Sequence, residues 1–187
     1  MLYIQKSDKM YYNNYDGRKV YKGVEKVAEK LEVYQECYAY QGRRVTLRKI
    51  EISDAEDLLR CYAEFETLEK MQEEIQLWLN SYDKEELVCW SIVLNETHRT
   101  IGTVKMSGIE KRGFLKLDLE RRYEEDKMLR DVLRIVDNFF YDLFEVTEIV
   151  TRCEEENEVR KGALSQSGYK VLNEAVNGFD DNYIRYY

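Results

Sequence analysis

Proline is absent from all 187 residues, histidine occurs once, and no apolar run approaches the ~18 residues that a membrane span needs. Without proline, every turn must rest on Asn, Asp and the nine glycines. The cysteines Cys37, Cys61, Cys89 and Cys153 lie far apart with no CxxC pair, and His98 alone stands beside them. That pattern speaks against a zinc site, any other metal centre or a disulfide framework, and suits reduced, partly buried thiols. Positive charge is in deficit. A formal net charge of −8 opposes general binding to nucleic acid or to an anionic membrane, because repulsion replaces the gain from counterion release. The opening Met1-Leu2-Tyr3-Ile4-Gln5-Lys6 carries neither a signal-peptide pattern nor a lipidation motif, so a cytoplasmic location is expected.

What is present suits one globular domain with an elaborated end: 44% of residues are hydrophobic and 35% are charged. Residues 1–41 form a tyrosine-rich N-terminal extension with Tyr3, Tyr11, Tyr12, Tyr15, Tyr21, Tyr34, Tyr38 and Tyr40. Such tyrosines can stack on single-stranded nucleic acid, but in an acidic chain half-buried packing onto the main domain outweighs that use. A helix is expected from Tyr21 to Tyr38, with Val24, Val27, Ala28 and Leu31 facing inward. Its segment from Val24 to Val33 faintly echoes Val159 to Tyr169.

The main domain, residues 42–187, opens on a strand at Val45-Thr46-Leu47-Arg48-Lys49-Ile50. Ser53 and Glu56 are spaced as a capping box. They predict a helix from about Asp54 with Ala55, Leu58, Leu59 and Tyr62 inward. A second helix is expected from Leu68 to Leu79, then a loop at Ser81-Tyr82-Asp83-Lys84. Leu87 to Leu94 and Arg99 to Met106 are rich in β-formers and flank a short polar turn, which predicts a hairpin with an exposed His98 at its tip. A third strand, Phe114 to Leu119, extends the meander. The later elements are a strand at Thr147 to Cys153, a short helix through Ala163 and Leu164 ending at Gly168, and strands at Tyr169 to Leu172 and Asn182 to Tyr187.

Between the third meander strand and the Thr147 strand lies a core helix. Met128, Leu129, Val132, Leu133, Val136, Phe139, Phe140 and Leu143 recur at intervals of three and four, against Arg130, Arg134, Asp137 and Asp142 on the other side. Strand, helix and strand make a βαβ unit. The turn at the helix head, Arg122-Tyr123-Glu124-Glu125-Asp126-Lys127, stands where free N–H groups and the helix dipole would receive a phosphate. Three consecutive acids occupy it, and carboxylates there stabilise the dipole themselves.

This order of elements resembles the GNAT family of N-acetyltransferases from about Gly42 to Tyr187. Val45 to Ile50 with Ser53 to Leu58, the Ile101-Gly102-Thr103-Val104 stretch, and Glu156-Asn157 with Ala163 to Tyr169 resemble the branch that acetylates ribosomal-protein N-termini. The resemblance implies an α+β fold: a mixed, mostly antiparallel central sheet flanked by helices, with one splayed parallel strand pair, Phe114 to Leu119 beside Thr147 to Cys153. It further implies acetyl-CoA in that splay, with Leu117, Leu119, Arg122, Glu125, Lys127 and Asn157 as the cofactor-binding positions. The family pattern Gln/Arg-x-x-Gly-x-Gly/Ala starts at Arg122 and meets Glu125 and Lys127 where glycines belong. Arg160 stands where the resembled branch has Ser, and Leu164 where other branches have an acidic Tyr. Glu120 and Glu154 remain as candidate catalytic bases. Two functions follow. One is an N-acyltransferase acting on an amine or a protein N-terminus through a divergent cofactor turn. The other is a catalytically degenerate member serving protein interaction or self-association as a homodimer.

Overall fold

The computed structural model describes residues 2–6, 9–13, 39–62, 64–108, 112–143 and 146–187. In chain order these form β1 (Leu2–Lys6), β2 (Lys9–Asn13), β3 (Ala39–Gln41), β4 (Val45–Lys49), α1 (Ala55–Leu58), α2 (Leu68–Asp83), β5 (Val88–Leu94), β6 (Thr100–Ser107) and β7 (Arg112–Leu119). There follow α3 (Asp126–Leu143), β8 (Glu148–Arg152), α4 (Glu158–Gln166), β9 (Lys170–Leu172) and β10 (Asn182–Tyr186). The helix expected from Tyr21 to Tyr38 and the echo at Val24 to Val33 lie outside the described residues.

One ten-stranded sheet runs in the order β2-β1-β3-β4-β5-β6-β7-β8-β10-β9. Its pairs are antiparallel except β7 with β8, which run parallel across the α3 crossover. The strands of the first 41 residues join this same sheet through the pairing of β3 with β4, and Tyr40 is buried against Trp90 and Phe139.

The β5 sequence explains the two-layered core. Along it Trp90 and Ile92 face one way, towards Leu129, Val132, Leu133, Val136 and Phe139 of α3. Cys89 faces the other way, towards Leu58, Tyr62, Met71, Ile75 and Trp78. A strand covered on both sides reads as a continuous apolar run. Among the described residues no helix is long and apolar enough to cross a membrane.

Several local expectations change. The capping box uses different residues: Glu51 N–H donates to Asp54 Oδ2 at 2.9 Å, a 3-10 turn covers Ile52–Asp54, and the α-helix stops at Leu58. Asp54 is committed to the interior, where Arg48, Ser91 and Thr100 all donate to it, so its backbone turns more tightly than a helix start would. The second helix, capped by Thr67, continues through Ser81-Tyr82-Asp83 because Tyr82 is buried against the sheet. Asp137, expected on the polar side of α3, is buried. Tyr169, Arg185 and Tyr187 close over it and supply its hydrogen bonds.

Glycine matters at two points on the way to the site. A Cβ on Gly102 would lie 2.1 Å from the carbonyl oxygen of Asp118, so only glycine lets β6 approach the end of β7 this closely. Gly168, at φ +86°, ends α4 in the left-handed region.

Candidate active site

β7 and β8 pair from Arg112 opposite Glu148 to Leu115 opposite Thr151, and there the pairing stops. β7 stays on β6 as far as Leu119 opposite Gly102. β8 follows β10 instead, and Cys153 N–H donates to Asp181 O at 3.0 Å. The last four residues of β7 therefore border a gap. Backbone groups alternate along a strand. Since Glu120 N–H donates to Ile101 O of β6, the even-numbered residues bond sideways to β6, and the backbones of Leu117 and Leu119 face the gap. Their side chains are buried in the core beneath α3 and so lend the site only peptide groups.

The first turn of α4 reaches into this gap. Asn157 caps the helix by accepting from Arg160 N–H at 2.9 Å. Its Nδ2 donates to Glu124 Oε1 at 2.7 Å, and Arg160 Nε donates to the same oxygen at 2.7 Å. Arg160 Nη1 then donates to the Leu117 carbonyl at 3.0 Å. A carboxylate from the turn, a guanidinium from α4 and a strand carbonyl thus meet where the strands part. The Arg160 and Glu124 side chains keep 20% and 19% of their exposure, so water still reaches the pair.

The turn itself is wound tightly. Arg121–Tyr123 makes a 3-10 turn, and Glu124, at φ −76° and ψ 68°, has the geometry of an inverse γ-turn. Glu124 N–H donates to Arg121 O at 3.2 Å, and Glu125 N–H donates to Tyr123 O at 2.8 Å. Two amides just ahead of the helix are thereby bonded within the turn. Asp126 pairs with Arg130 at 2.7 Å and accepts from Gln166 of α4 at 3.4 Å. Glu125 and Lys127 are exposed at the helix head, and Arg122 is held at 2.7 Å by Glu120. For a coenzyme A tail the strand gap fits, because it offers peptide groups outside the strand ladder to an amide-bearing chain. The turn fits poorly, with two amides spent and acids in place of glycines.

Across the sheet, on the side of α1 and α2, a second polar cluster adjoins the same stretch of β7. Tyr62 O–H donates to Asp118 Oδ2 at 2.8 Å and accepts from Lys105 Nζ at 2.9 Å, while Thr103 Oγ1 lies 2.5 Å from it. Lys105 also pairs with Asp118 at 3.2 Å and sits 4.0 Å above the Trp78 ring. Burial pushes Lys105 below its ordinary value, only partly offset by the Asp118 charge. Burial pushes Tyr62 upward, and the Asp118 charge adds to it. Cys61 and Cys89 are both pushed up to about 12, chiefly by burial, so neither is a ready nucleophile.

The residues singled out from sequence separate into groups. Leu117 and Asn157 come together at the gap, and Leu119 borders it. Arg122, Glu125 and Lys127 line the adjoining turn. Glu120 lies beyond the end of β7, bound by both Arg99 and Arg122. Glu154 is exposed on the loop after β8, and its carbonyl accepts from Asn157 N–H at 3.0 Å. Sequence reasoning passed over Glu124, Asp118, Lys105 and Tyr62. A signal for one of them was there: Lys105 stands between Val104 and Met106 in a buried strand, and a buried charge requires partners.

A family model described as an Acetyltransferase (GNAT) domain matches residues 44–170. No curated protein matches. Among solved structures, RimL, the ribosomal L7/L12 alpha-N-protein acetyltransferase, superposes with a TM-score of 0.66 at 12% identity, over 90% of this chain and 99% of that one. The ribosomal-protein-S5-alanine acetyltransferase from Vibrio fischeri gives 0.61 at 20% identity, over 78% and 93%. The microcin C7 self-immunity acetyltransferase MccE, solved with acetyl-CoA and AMP, gives 0.63 at 14% identity, over 77% and 93%.

Proposed function

Because the chain belongs to the GNAT acetyltransferase family, we propose that it is a cytoplasmic N-acyltransferase that moves an acyl group from acetyl-CoA to a primary amine, the N-terminus of a protein. The observation that carries this reading is the parting of β7 from β8 after Leu115 and Thr151, which leaves strand peptide groups outside the β7–β8 ladder beside a helix head. Ribosomal-protein acetyltransferases among the structural relatives support a protein acceptor.

When bound, the co-substrate supplies a thioester whose carbonyl carbon forms the new C–N bond as the C–S bond breaks. The chain contributes position and proton handling. Leu117 and Leu119 offer backbone groups to the amides of the pantetheine arm. Arg122 and Lys127 offer positive charge to the phosphates, in place of backbone amides spent inside the turn. Asp118 lies between the two gap-facing leucines with its carboxylate on the α1–α2 side, and is the first candidate to accept the proton of the incoming ammonium. Tyr62 and Lys105 hold that carboxylate in place. Glu120 is the second candidate, although two guanidiniums already occupy its oxygens. Glu154, exposed beyond the gap, is a third.

A second reading rests on the internal bonding of the Glu124 and Glu125 amides, which favours a degenerate cleft on a module for protein contact or self-association. Isothermal titration with acetyl-CoA and with desulfo-CoA separates the two. The acyltransferase reading expects saturable micromolar binding of both ligands. No heat at millimolar ligand contradicts it and favours the interaction module.

A further inference from the structure

Resting on the acyltransferase reading, we infer that Arg160 is a latch: its guanidinium occupies the mouth of the acyl-CoA gap and must swing out for the pantetheine arm to enter.

The unpaired end of β7 presents few polar groups, since the side chains of Leu117 and Leu119 point into the core and only their peptides face the gap. The Leu117 carbonyl is the one that lies just beyond the last paired residue, Leu115. Arg160 Nη1 already donates to it at 3.0 Å. An incoming amide N–H and this guanidinium therefore compete for one oxygen. The competition is set up by two flanking contacts. Glu124 holds the Nε side of the fork at 2.7 Å, and Asn157 fixes Glu124 through the same oxygen at 2.7 Å. Remove the Glu124 charge and the fork loses its orientation, because a bidentate arrangement depends on both arms.

The latch is made to open. A guanidinium locked into the interior would be costly to remove, yet Arg160 and Glu124 each keep about a fifth of their side-chain exposure, and a water-accessible ion pair exchanges partners readily. The backbone of Arg160 need not move: its N–H stays bonded to Asn157 Oδ1 while the side chain rotates. The opposite face of β7 shows the contrast. There the cation lies deeper: Lys105 keeps 10% of its side-chain exposure behind Trp78 and Tyr62, while its partner Asp118 keeps 23%.

Such a latch taxes cofactor affinity by the fraction of molecules in which it is open. With the latch closed in roughly nine molecules of ten, its removal tightens acetyl-CoA by about 10-fold. The effect belongs to the pantetheine arm. Adenosine 3′,5′-bisphosphate carries phosphates but no arm, so it reports any general loss of positive charge without entering the gap.

The full-length protein, Arg160→Ser and Glu124→Gln are titrated calorimetrically with acetyl-CoA and with adenosine 3′,5′-bisphosphate, and thermal melting confirms that each variant is folded. The latch predicts that Arg160→Ser binds acetyl-CoA about 10-fold tighter than wild type while the bisphosphate is unchanged or weaker. Glu124→Gln keeps an acceptor for Asn157 but loses the charge, and moves the same way by about 3-fold. Wild-type binding that Arg160→Ser leaves unchanged or weakens overturns the latch and leaves the acyltransferase reading standing. Equal tightening of both ligands also overturns it, since that effect would not come from the gap. If none of the three folded proteins binds acetyl-CoA, the latch and the acyltransferase reading both fall.

Discussion

The two faces of β7 treat their polar groups differently. On the α1–α2 side, Lys105, Tyr62 and Thr103 share short bonds inside the fold with a partly exposed Asp118, and deeper still Asp54 collects donors from Arg48, Ser91, Thr100 and the Glu51 amide. On the gap side, Arg160, Glu124 and Asn157 meet at a half-open seam. Both sides satisfy their hydrogen bonds. What differs is the consequence of losing one. Removing a buried acceptor such as Asp54 strands the buried hydroxyls of Ser91 and Thr100, whereas a seam open to water can exchange one partner for another. Structural polarity therefore lies behind the sheet, and exchangeable polarity lies where a ligand would enter.

The strongest way to break this comparison is Asp54→Ala, which leaves Arg48, Ser91 and Thr100 without their common acceptor and is expected to cost about 3–5 kcal/mol by urea denaturation. A loss below about 1 kcal/mol, as at an exposed pair, would erase the distinction between the faces. Charge enters the same experiment through pH. Burial alone would raise Asp54, but the hydrogen bonds from Arg48, Ser91 and Thr100 outweigh it and hold its carboxyl below the usual range. Its contribution is therefore present above about pH 4 and is lost as pH falls through the lower folded value. Asp137 has the opposite sign: burial keeps its carboxyl above the usual range despite Arg185, Tyr187 and Tyr169. Its contribution is present below about pH 4 and fades as pH rises through the raised folded value. Asp54→Asn should flatten the acid limb of the stability curve, and Asp137→Asn should steepen it.

Next in size is catalysis on the α1–α2 side. Asp118→Asn is expected to lower kcat by about 100-fold, with acetyl-CoA affinity unchanged, as befits a proton acceptor that does not touch the cofactor tail. A loss confined to KM would instead place Asp118 in amine binding.

These differences were unevenly legible in the sequence. The amphipathic period of α3 and the β-formers of β7 were plain, so the βαβ unit was legible, whereas Leu117 and Leu119 were named only through the family resemblance. Side-chain partners distant in the chain could not. Asp137 sits at a helical position that reads as polar surface, and only the return of Tyr169, Arg185 and Tyr187 buries it. Asp118 owes its surroundings to Tyr62 and Lys105, which local spacing does not link to it. Gly102 was legible as part of a resemblance, but its cause, the close approach of the Asp118 carbonyl, needed the folded sheet.

The smallest effect concerns the helix head. Glu125→Gly with Lys127→Gly removes one acid and one cation together, and the Glu125 amide stays bonded to Tyr123 O in the inverse γ-turn. The double variant is expected to tighten acetyl-CoA by no more than about 3-fold, or roughly 0.6 kcal/mol, less than release of Arg160. A larger gain in calorimetry would move the main obstacle from the gap to the turn.

Amide hydrogen exchange on the wild-type protein, with and without acetyl-CoA, tests the central claim most directly. If the co-substrate lies in the β7–β8 gap, the amides of Leu117 and Leu119 slow on addition of ligand, while those of Lys116 and Asp118, directed towards β6, change little. Binding that leaves Leu117 and Leu119 exchanging as before would contradict the account.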